Sequence, residues 1–313
     1  GSILGPLLFL LYVNDMPQSV KSKILLYADD SCIYFQHSDV KTIERQLNED
    51  FSSLCHWFVN NKLSIHFGED KTKSILFANK YKIKKLEKLN ITYNNIKIIQ
   101  HSRVSYLGCI LNNTLSGESM ALNVINKVNL RLSFLYRNNR FLTPQLSRLL
   151  CNALIQPNFD YAIFAWYPNL NTNLKKRIQI AQNKCIRFCL QLDNRSHIGF
   201  KEFEKIDWLD TADRFKQILG TTVFKFFKSE SPDYMSDLFK PARQNNINTR
   251  STYLKLIQPF RKTNAGQNTL SYQGPGEWNK LPIFLKKETN INSFKHKVKI
   301  HYLNEFKNKE LMN

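Results

Sequence analysis

Hydrophobic positions recur at two different periods along the chain, and the change between them falls near Asn112. Before it, short apolar and β-branched runs dominate. Residues 23–36, KILLYADDSCIYFQ, hold two such runs around Ala28-Asp29-Asp30-Ser31, which predicts a β-hairpin with a polar tip. Residues 63–67 and 73–77 predict two further strands around the turn Gly68-Glu69-Asp70, and residues 97–99 and 104–111 read as additional strand pieces. Two helices interrupt this region. Residues 5–15, GPLLFLLYVND, read as a buried helix with Pro6 in its first turn and an end before Pro17. Residues 39–61 place Ile43, Leu47, Phe51, Leu54 and Phe58 on one face, with Ser38 or Asp39 as the cap.

After Asn112 the period becomes that of long amphipathic helices. Leu122, Ile125, Val128, Leu132 and Leu135 form one stripe. Thr143-Pro144 caps and opens a second helix, carried by Leu146, Leu149, Leu150 and Leu154 and stopped by Pro157. A third runs through Leu174, Ile178, Ala181, Cys185 and Phe188. Beyond it come a helix near 211–228, a polar stretch at 244–250, a turn-rich stretch at 272–278 and a basic helix over 292–306. The pattern therefore predicts an α+β chain in three parts, residues 1–112, 113–200 and 201–313. The longest apolar run, residues 7–13, is far short of the ~20 residues of a membrane span.

Charge sharpens the picture. Lys and Arg number 45 against 25 acidic residues, a formal net charge of +20, which points to a polyanionic partner. Lys175, Lys176 and Arg177 form a compact basic cluster on the third helix. The six cysteines are scattered singly through a lysine-rich chain, the pattern of a reducing compartment, so all six are expected as free thiols. Cys185-x₃-Cys189-x₇-His197 imitates a zinc knuckle, yet its fourth place holds Glu202 and both cysteines fall on an apolar stripe, which favours core.

The chemistry concentrates at Asp29 and Asp30. Adjacent carboxylates between apolar strands repel one another, and a divalent cation relieves that cost. On the dipeptide alone an ordinary acidic turn remains the commoner explanation. The flanking residues change that balance. Tyr27-Ala28-Asp29-Asp30 between Ile24-Leu25-Leu26 and Ile33-Tyr34-Phe35 resembles the catalytic hairpin of reverse transcriptases. Gly1-Ser2-Ile3-Leu4-Gly5-Pro6-Leu7-Leu8-Phe9 with Tyr12-Val13-Asn14-Asp15-Met16-Pro17 resembles the family's loop and helix beneath the incoming nucleotide. Asn61-Lys62-Leu63-Ser64 and Lys71-Thr72-Lys73-Ser74-Ile75-Leu76-Phe77 are similar to its next palm motif, and Tyr106-Leu107-Gly108 to its primer grip. Order and spacing together resemble the non-LTR, LINE-type retrotransposon enzymes of the jockey and CR1 kind. Farther on, Gln156-Pro157-Asn158-Phe159-Asp160-Tyr161, Trp166, Gln182-Asn183-Lys184 and Arg187 look like their helical thumb. Asn248-Thr249-Arg250-Ser251, Trp278-Asn279-Lys280-Leu281-Pro282 and Ser293-Phe294-Lys295 look like their C-terminal segment.

The resemblance implies a partial polymerase palm, a helical thumb and a mixed basic C-terminal region over the three parts. It implies RNA-directed DNA synthesis by two-metal nucleotidyl transfer with Mg²⁺ or Mn²⁺, on an RNA template, a DNA primer and dNTPs, in nucleus and cytoplasm. Asp29 and Asp30 would be metal ligands, and Lys71 an acid for the leaving pyrophosphate, against an ordinary solvated turn lysine. Ser2, Gly5, Pro6, Tyr27 and Ala28 would line the nucleotide, and Tyr106, Leu107 and Gly108 the primer. Lys175, Lys176 and Arg177 would contact nucleic acid, and Tyr272 and Trp278 could stack on bases. The resemblance also places a further aspartate, the fingers and an endonuclease domain upstream of Gly1. The sequence therefore reads as an N-terminally truncated piece without activity of its own. A nucleic-acid-binding remnant that performs no chemistry is the alternative.

Overall fold

Asp39 is extended, and its Oδ2 accepts the backbone N–H of Thr42 at 2.9 Å, which starts a 21-residue helix. One of two units is built around that helix. In the computed structural model, which describes residues 2–228, 232, 238–242 and 255–312, the chain separates into Gly1–Leu115 and Ser116–Asn313. The first unit contains α1 (Leu4–Tyr12), β1 (Lys23–Tyr27), β2 (Asp30–Tyr34), α2 (Val40–Asn60), α3 (Lys80–Ile83), β3 (Ile91–Tyr93), β4 (Ile96–Ile98), β5 (Arg103–Tyr106) and β6 (Cys109–Asn112).

The strands form three antiparallel hairpins, β1–β2, β3–β4 and β5–β6, each closed by two residues. Asn94-Asn95 (φ +47° and +65°) and Leu107-Gly108 (φ +47° and +74°) take positive φ at both turn positions, the sign that matches the twist of the flanking strands. Ala28 is positive too, at +51°. At Ala28 and Leu107 a side chain occupies backbone space that glycine or asparagine usually fills, at a cost of about 1–2 kcal/mol each.

Several expectations are corrected. The first hairpin is tighter than its pattern suggested, because Asp30 and Ser31 already pair with Tyr27 and Leu26. Residues 63–67 and 73–77 are not strands. Ser74 alone bridges to Gln100, and the turn after Gly68 is closed by Thr72 Oγ1 donating to the His66 carbonyl at 2.8 Å instead of by a ladder. Residues 104–111 fold back on themselves as β5–β6. Helix α1 forms, but none of its residues is buried. An element apolar on every side carries no stripe to fix its inward face, and only its Phe9 packs against the core.

Two apolar clusters lie along α2. Ile43 packs with Leu76, Leu89, Ile91 and Ile98; eleven residues later, Leu54 packs with Trp57, Val13 and Met16, against which Ile24, Leu26 and Ile33 of the first hairpin rest. Between them sits Asp50, only 2% exposed. Its Oδ1 accepts the N–H of Lys21 at 2.8 Å, and its Oδ2 accepts the N–H of Ser22 at 3.0 Å and Gln46 Nε2 at 3.2 Å. Burial by itself would raise its pKa, but the bonds from Ser22, Lys21 and Gln46 outweigh it and hold the carboxyl below its ordinary value. The carboxylate thereby fixes the entry into β1.

The second unit contains α4 (Glu118–Arg137), α5 (Pro144–Leu150), a π-helical turn (Cys151–Ile155), α6 (Gln156–Asp160), α7 (Ile163–Trp166), α8 (Thr172–Cys189), α9 (Phe200–Ile206), α10 (Thr211–Phe227), α11 (Asn264–Gln267), α12 (Leu270–Lys280), α13 (Ile283–Lys286) and α14 (Ile291–Met312). On α4 the buried stripe is Ala121, Val124, Val128, Leu132 and Leu135, while Leu122 and Ile125 are half-buried flanks. The segment after Thr143 buries Ser147, Cys151, Ile155 and Phe159, whereas the expected Leu146, Leu149 and Leu154 face solvent. The π turn explains this, since its wider winding brings positions four apart into line. Pro157 does not stop the run. It sits in the first turn of α6, where its missing N–H is not needed.

Residues 272–278 are helical, not turn-rich. A Cβ on Gly274 would lie 2.6 Å from Phe239 Cε1, so close packing overrides the poor helix propensity of Gly274-Pro275-Gly276. Trp278 is 0% exposed and stacks on Phe227, which removes it as a base-stacking residue. The stretch 244–250 and the motif Asn248-Thr249-Arg250-Ser251 lie outside the described residues. Among the described residues no helix is long and apolar enough to cross a membrane.

Two substitutions test this description. Asp50→Ala strands two backbone N–H groups and should cost about 3 kcal/mol, with faster hydrogen exchange over residues 21–34 than in the native chain. Because the folded pKa of Asp50 is lowered, its contribution is complete above about pH 4 and is lost as pH falls through the folded value, so the difference from Asp50→Ala should shrink in acid. Gly117 has φ +69° and an added Cβ would meet the Trp166 carbonyl oxygen at 2.3 Å. Gly117→Ala should therefore lower stability by about 2 kcal/mol or more in urea denaturation.

Candidate active site

The tip of β1–β2 presents Ala28 and Asp29 in the turn and Tyr27 paired with Asp30 below it. Asp29 and Asp30 are exposed, and Tyr27 is 65% exposed. Cross-strand partners share a face, so Tyr27, Asp30, Leu25 and Cys32 lie on one side of the hairpin while Ile24, Leu26 and Ile33 turn to the core. Tyr106 is the last residue of β5. Burial raises the pKa of its phenol, and the charges of Cys32 and Asp30 raise it further, so it lies within electrostatic reach of both. Leu107-Gly108 forms the turn immediately beyond.

The remaining site candidates are less closely gathered. Ser2 Oγ accepts the N–H of Gly5 at 3.3 Å and Pro6 lies in the first turn of α1, so this segment is a helix start; Gly1 is outside the described residues. Tyr12 at the end of α1 donates its hydroxyl to the Asn61 carbonyl, which ties α1 to the C-terminal end of α2. Lys71 is exposed in the turn closed by its own N–H on the Gly68 carbonyl at 2.9 Å, and no hydrogen bond or ion pair among the described residues joins it to Asp29 or Asp30. Lys175 reaches over the Tyr167 ring at 5.4 Å, where burial lowers its pKa, while Lys176 and Arg177 stand in solvent.

The words that resembled a thumb act mainly as fasteners. Asp160 receives Arg214 through two contacts, 3.0 and 2.6 Å; Gln182 Nε2 donates to the Leu209 carbonyl at 2.9 Å; Arg187 Nε donates to Ser196 at 2.9 Å; Trp166 Nε1 donates to Tyr161 at 3.0 Å. In the last region Asn279 bonds both N–H and C=O of Leu256, and Phe294 is fully buried against Phe224.

The six cysteines are free. Cys185 and Cys189 are buried in α8, His197 is exposed and Glu202 caps the N–H of Gly199 at 3.0 Å, so the zinc-knuckle residues do not converge. Cys151 touches Cys189, and that hydrogen bond together with burial pushes the Cys151 thiol well up; burial does the same to Cys185. Among the described residues no group of three or more His, Cys, Asp or Glu side chains could hold a metal. Asp29 and Asp30 offer hard carboxylate oxygens on an open tip, which fits Mg²⁺ or Mn²⁺ as a partial ligand set, with substrate phosphates and waters as natural complements. Asp50 and the Cys32–Tyr106 juxtaposition were not singled out from sequence. Asp50 did carry a signal, an acidic side chain beside the apolar stripe of α2.

Residues 1–111 match the family model described as reverse transcriptase (RNA-dependent DNA polymerase). The particular relatives are transposon proteins. The chain is 23% identical over 197 residues to the probable RNA-directed DNA polymerase from transposon X-element of Drosophila melanogaster, covering 60% of this chain and 21% of that protein. It is 25% identical over 202 residues to the RNA-directed DNA polymerase from mobile element jockey of Drosophila funebris, again covering 60% of this chain and 21% of that protein. The chain thus spans about a fifth of the length of these curated relatives. No solved structure matches it.

Exposure orders the thiols. Alkylation of the native chain at neutral pH, followed by mass spectrometry, should label half-buried Cys32 before any other cysteine, and all six only after denaturation. Burial pushes Cys55 up to about 11 and leaves it unreactive in the folded state. Labelling of Cys151 or Cys185 ahead of Cys32 would contradict the described packing.

Proposed function

We propose that the chain supplies the catalytic hairpin and primer platform of an RNA-directed DNA polymerase, the palm part being residues 1–112, followed by a helical thumb over 113–200 and a basic C-terminal region over 201–313. The observation that carries the reading is the exposed pair Asp29–Asp30 at the two-residue tip of the β1–β2 hairpin, with the Tyr106 phenol within electrostatic reach of Asp30. In this reading Asp29 and Asp30 hold divalent metal, with Asp29 the more directly involved. A bound Mg²⁺ or Mn²⁺ supplies activation of the primer 3′-hydroxyl and neutralises charge on the departing pyrophosphate.

The chain's own residues bind and orient. Tyr27 and Ala28 flank the nucleotide and the primer end, the fixed turn at Ala28 holding Asp29 at the tip. Ser2, Gly5 and Pro6 shape the loop beneath the nucleotide. Tyr106, Leu107 and Gly108 seat the primer strand, the glycine leaving room for its backbone. Lys71 protonates the leaving oxygen once a nucleotide draws its turn inward. Template RNA, primer DNA and dNTPs are the partners, and Lys176 and Arg177 on α8 reach phosphates from the thumb.

Metal binding tests the assignment directly. Titration of the purified chain with Mn²⁺, followed by electron paramagnetic resonance in the presence of a primed RNA template, should show binding that weakens at least tenfold in Asp29→Asn and in Asp30→Asn. Any RNA-templated dNTP incorporation should vanish in Asp29→Asn while primer affinity persists. Equal Mn²⁺ affinity in the native chain and both variants would overturn the metal assignment.

A further inference from the structure

The segment that follows the Lys71 motif carries a second concentration of chemistry that the polymerase reading leaves unused. Asn79 Oδ1 accepts the N–H groups of Tyr81 and Lys82 at 3.1 and 2.7 Å and starts α3. Ile83 and Leu86 point inward, against the cluster of Ile43, Leu76, Leu89, Ile91 and Ile98. With those positions committed to the core, Lys80, Lys82, Lys84, Lys85 and Lys88 are all exposed, and Glu87 is the one acidic residue between Asn79 and Asn90. None of the five ammonium groups forms an ion pair among the described residues. In their midst Tyr81 stands 83% exposed.

The frame beneath is fixed. Glu44 Oε2 accepts the N–H of Asn90 at 2.6 Å, Asn48 Nδ2 donates to the Asn90 carbonyl at 2.9 Å, and Gln100 Oε1 accepts the N–H of Leu89 at 2.7 Å. The segment is therefore a positive platform held at both ends, by the Asn79 cap before it and by the bonds on Leu89 and Asn90 after it. It rests on the cluster around Ile43, whereas Ile24, Leu26 and Ile33 of the acidic hairpin rest on the cluster around Leu54, eleven residues and about 16 Å farther along α2. Unpaired lysines around a protruding aromatic ring suit a strand of unpaired nucleic acid, with phosphates on the ammonium groups and one base on the ring.

We propose that residues 80–88 form a separate binding site for single-stranded nucleic acid, centred on Tyr81 and independent of the Asp29–Asp30 tip. The site deepens the polymerase reading by adding a contact for template not yet paired, yet its binding requires neither metal nor turnover. The test uses the full chain and a labelled oligouridylate, with fluorescence anisotropy across a salt series. Tyr81→Ala should lower affinity for the oligouridylate about tenfold and leave affinity for an RNA duplex unchanged. The fourfold exchange of Lys80, Lys82, Lys84 and Lys85 to Gln should flatten the slope of log affinity against log salt by about 2–3 units. Asp29→Asn should alter neither, so failure of the metal assignment and failure of this site are read separately.

A control exchange of Lys201, Lys205 and Lys225, exposed on α9 and α10, measures the effect of net charge alone. The proposal is overturned if Tyr81→Ala binds the oligouridylate as the native chain does, or if the slope change per charge removed is the same in the control. It is also overturned if phosphatidylserine vesicles compete fully with the oligouridylate and the Tyr81 ring is indifferent to both, since the platform would then be a membrane-surface patch. The substituted side chains are exposed, and far-ultraviolet circular dichroism should match the native chain.

Discussion

A single buried carboxylate organises the N-terminal unit. Asp50 lies between two apolar clusters on α2 and spends its hydrogen-bonding capacity on the chain just before β1. A charged group in such a place is tolerated only when several donors surround it, and here two of the donors are backbone amides of the segment that becomes the first hairpin. The helix thus dictates where β1 begins. Since β2 pairs with β1 in a fixed register, the same bond determines where Asp29 and Asp30 stand. The short sheets do not organise themselves in this unit. Each is an isolated two-stranded ribbon, marginal alone, and gains its stability from the helix or loop it covers.

Charge in the second unit is arranged to different effect. Asp160 is held by Arg214, Asp213 by Lys216, Glu288 by Lys297, and Asp207 by both Arg148 and Lys299. Apart from Asp213, which pairs within α10, the acids join separate segments, and each masks a cation that composition alone counts as surface charge. The positive field left to a partner comes from residues without such duties, Lys176, Arg177 and Lys184 on α8 among them. Lys175, adjacent to them in sequence, differs in being half-buried, with its ammonium over the Tyr167 ring.

Sequence periodicity located α2 and α8 closely, because both have a clear apolar stripe and a side-chain cap, Asp39 and Asn171. It failed where the signal depends on neighbours. Helix α1 is apolar all round, so its composition suggested burial that its surroundings do not provide. The wrong face was assigned after Thr143 because no local pattern announces a π turn. Residues 272–278 read as turns because Gly274-Pro275-Gly276 breaks helices in isolation, whereas the approach of Phe239 requires a side chain no larger than hydrogen. The acidic tip and the Tyr106-Leu107-Gly108 turn were legible as words. That the Tyr106 phenol lies within electrostatic reach of Asp30 and Cys32, seventy-odd residues away in the chain, was not.

The two-residue closure of the first hairpin makes it a device of parity. Because Tyr27 is opposite Asp30 and Leu25 opposite Cys32, the odd residues of β1 and the even residues of β2 share the open face. One extra residue between Tyr27 and Asp30, with the two-residue closure kept, would leave the odd-even assignment of β1 intact while exchanging the two faces of β2. Ser31 and Ile33 would then face outward, and Asp30 and Cys32 would be driven against Met16 and Leu54. An added residue at this turn therefore has to be taken up as a longer loop that keeps Tyr27 opposite Asp30, because a slip of register would reverse the faces of β2.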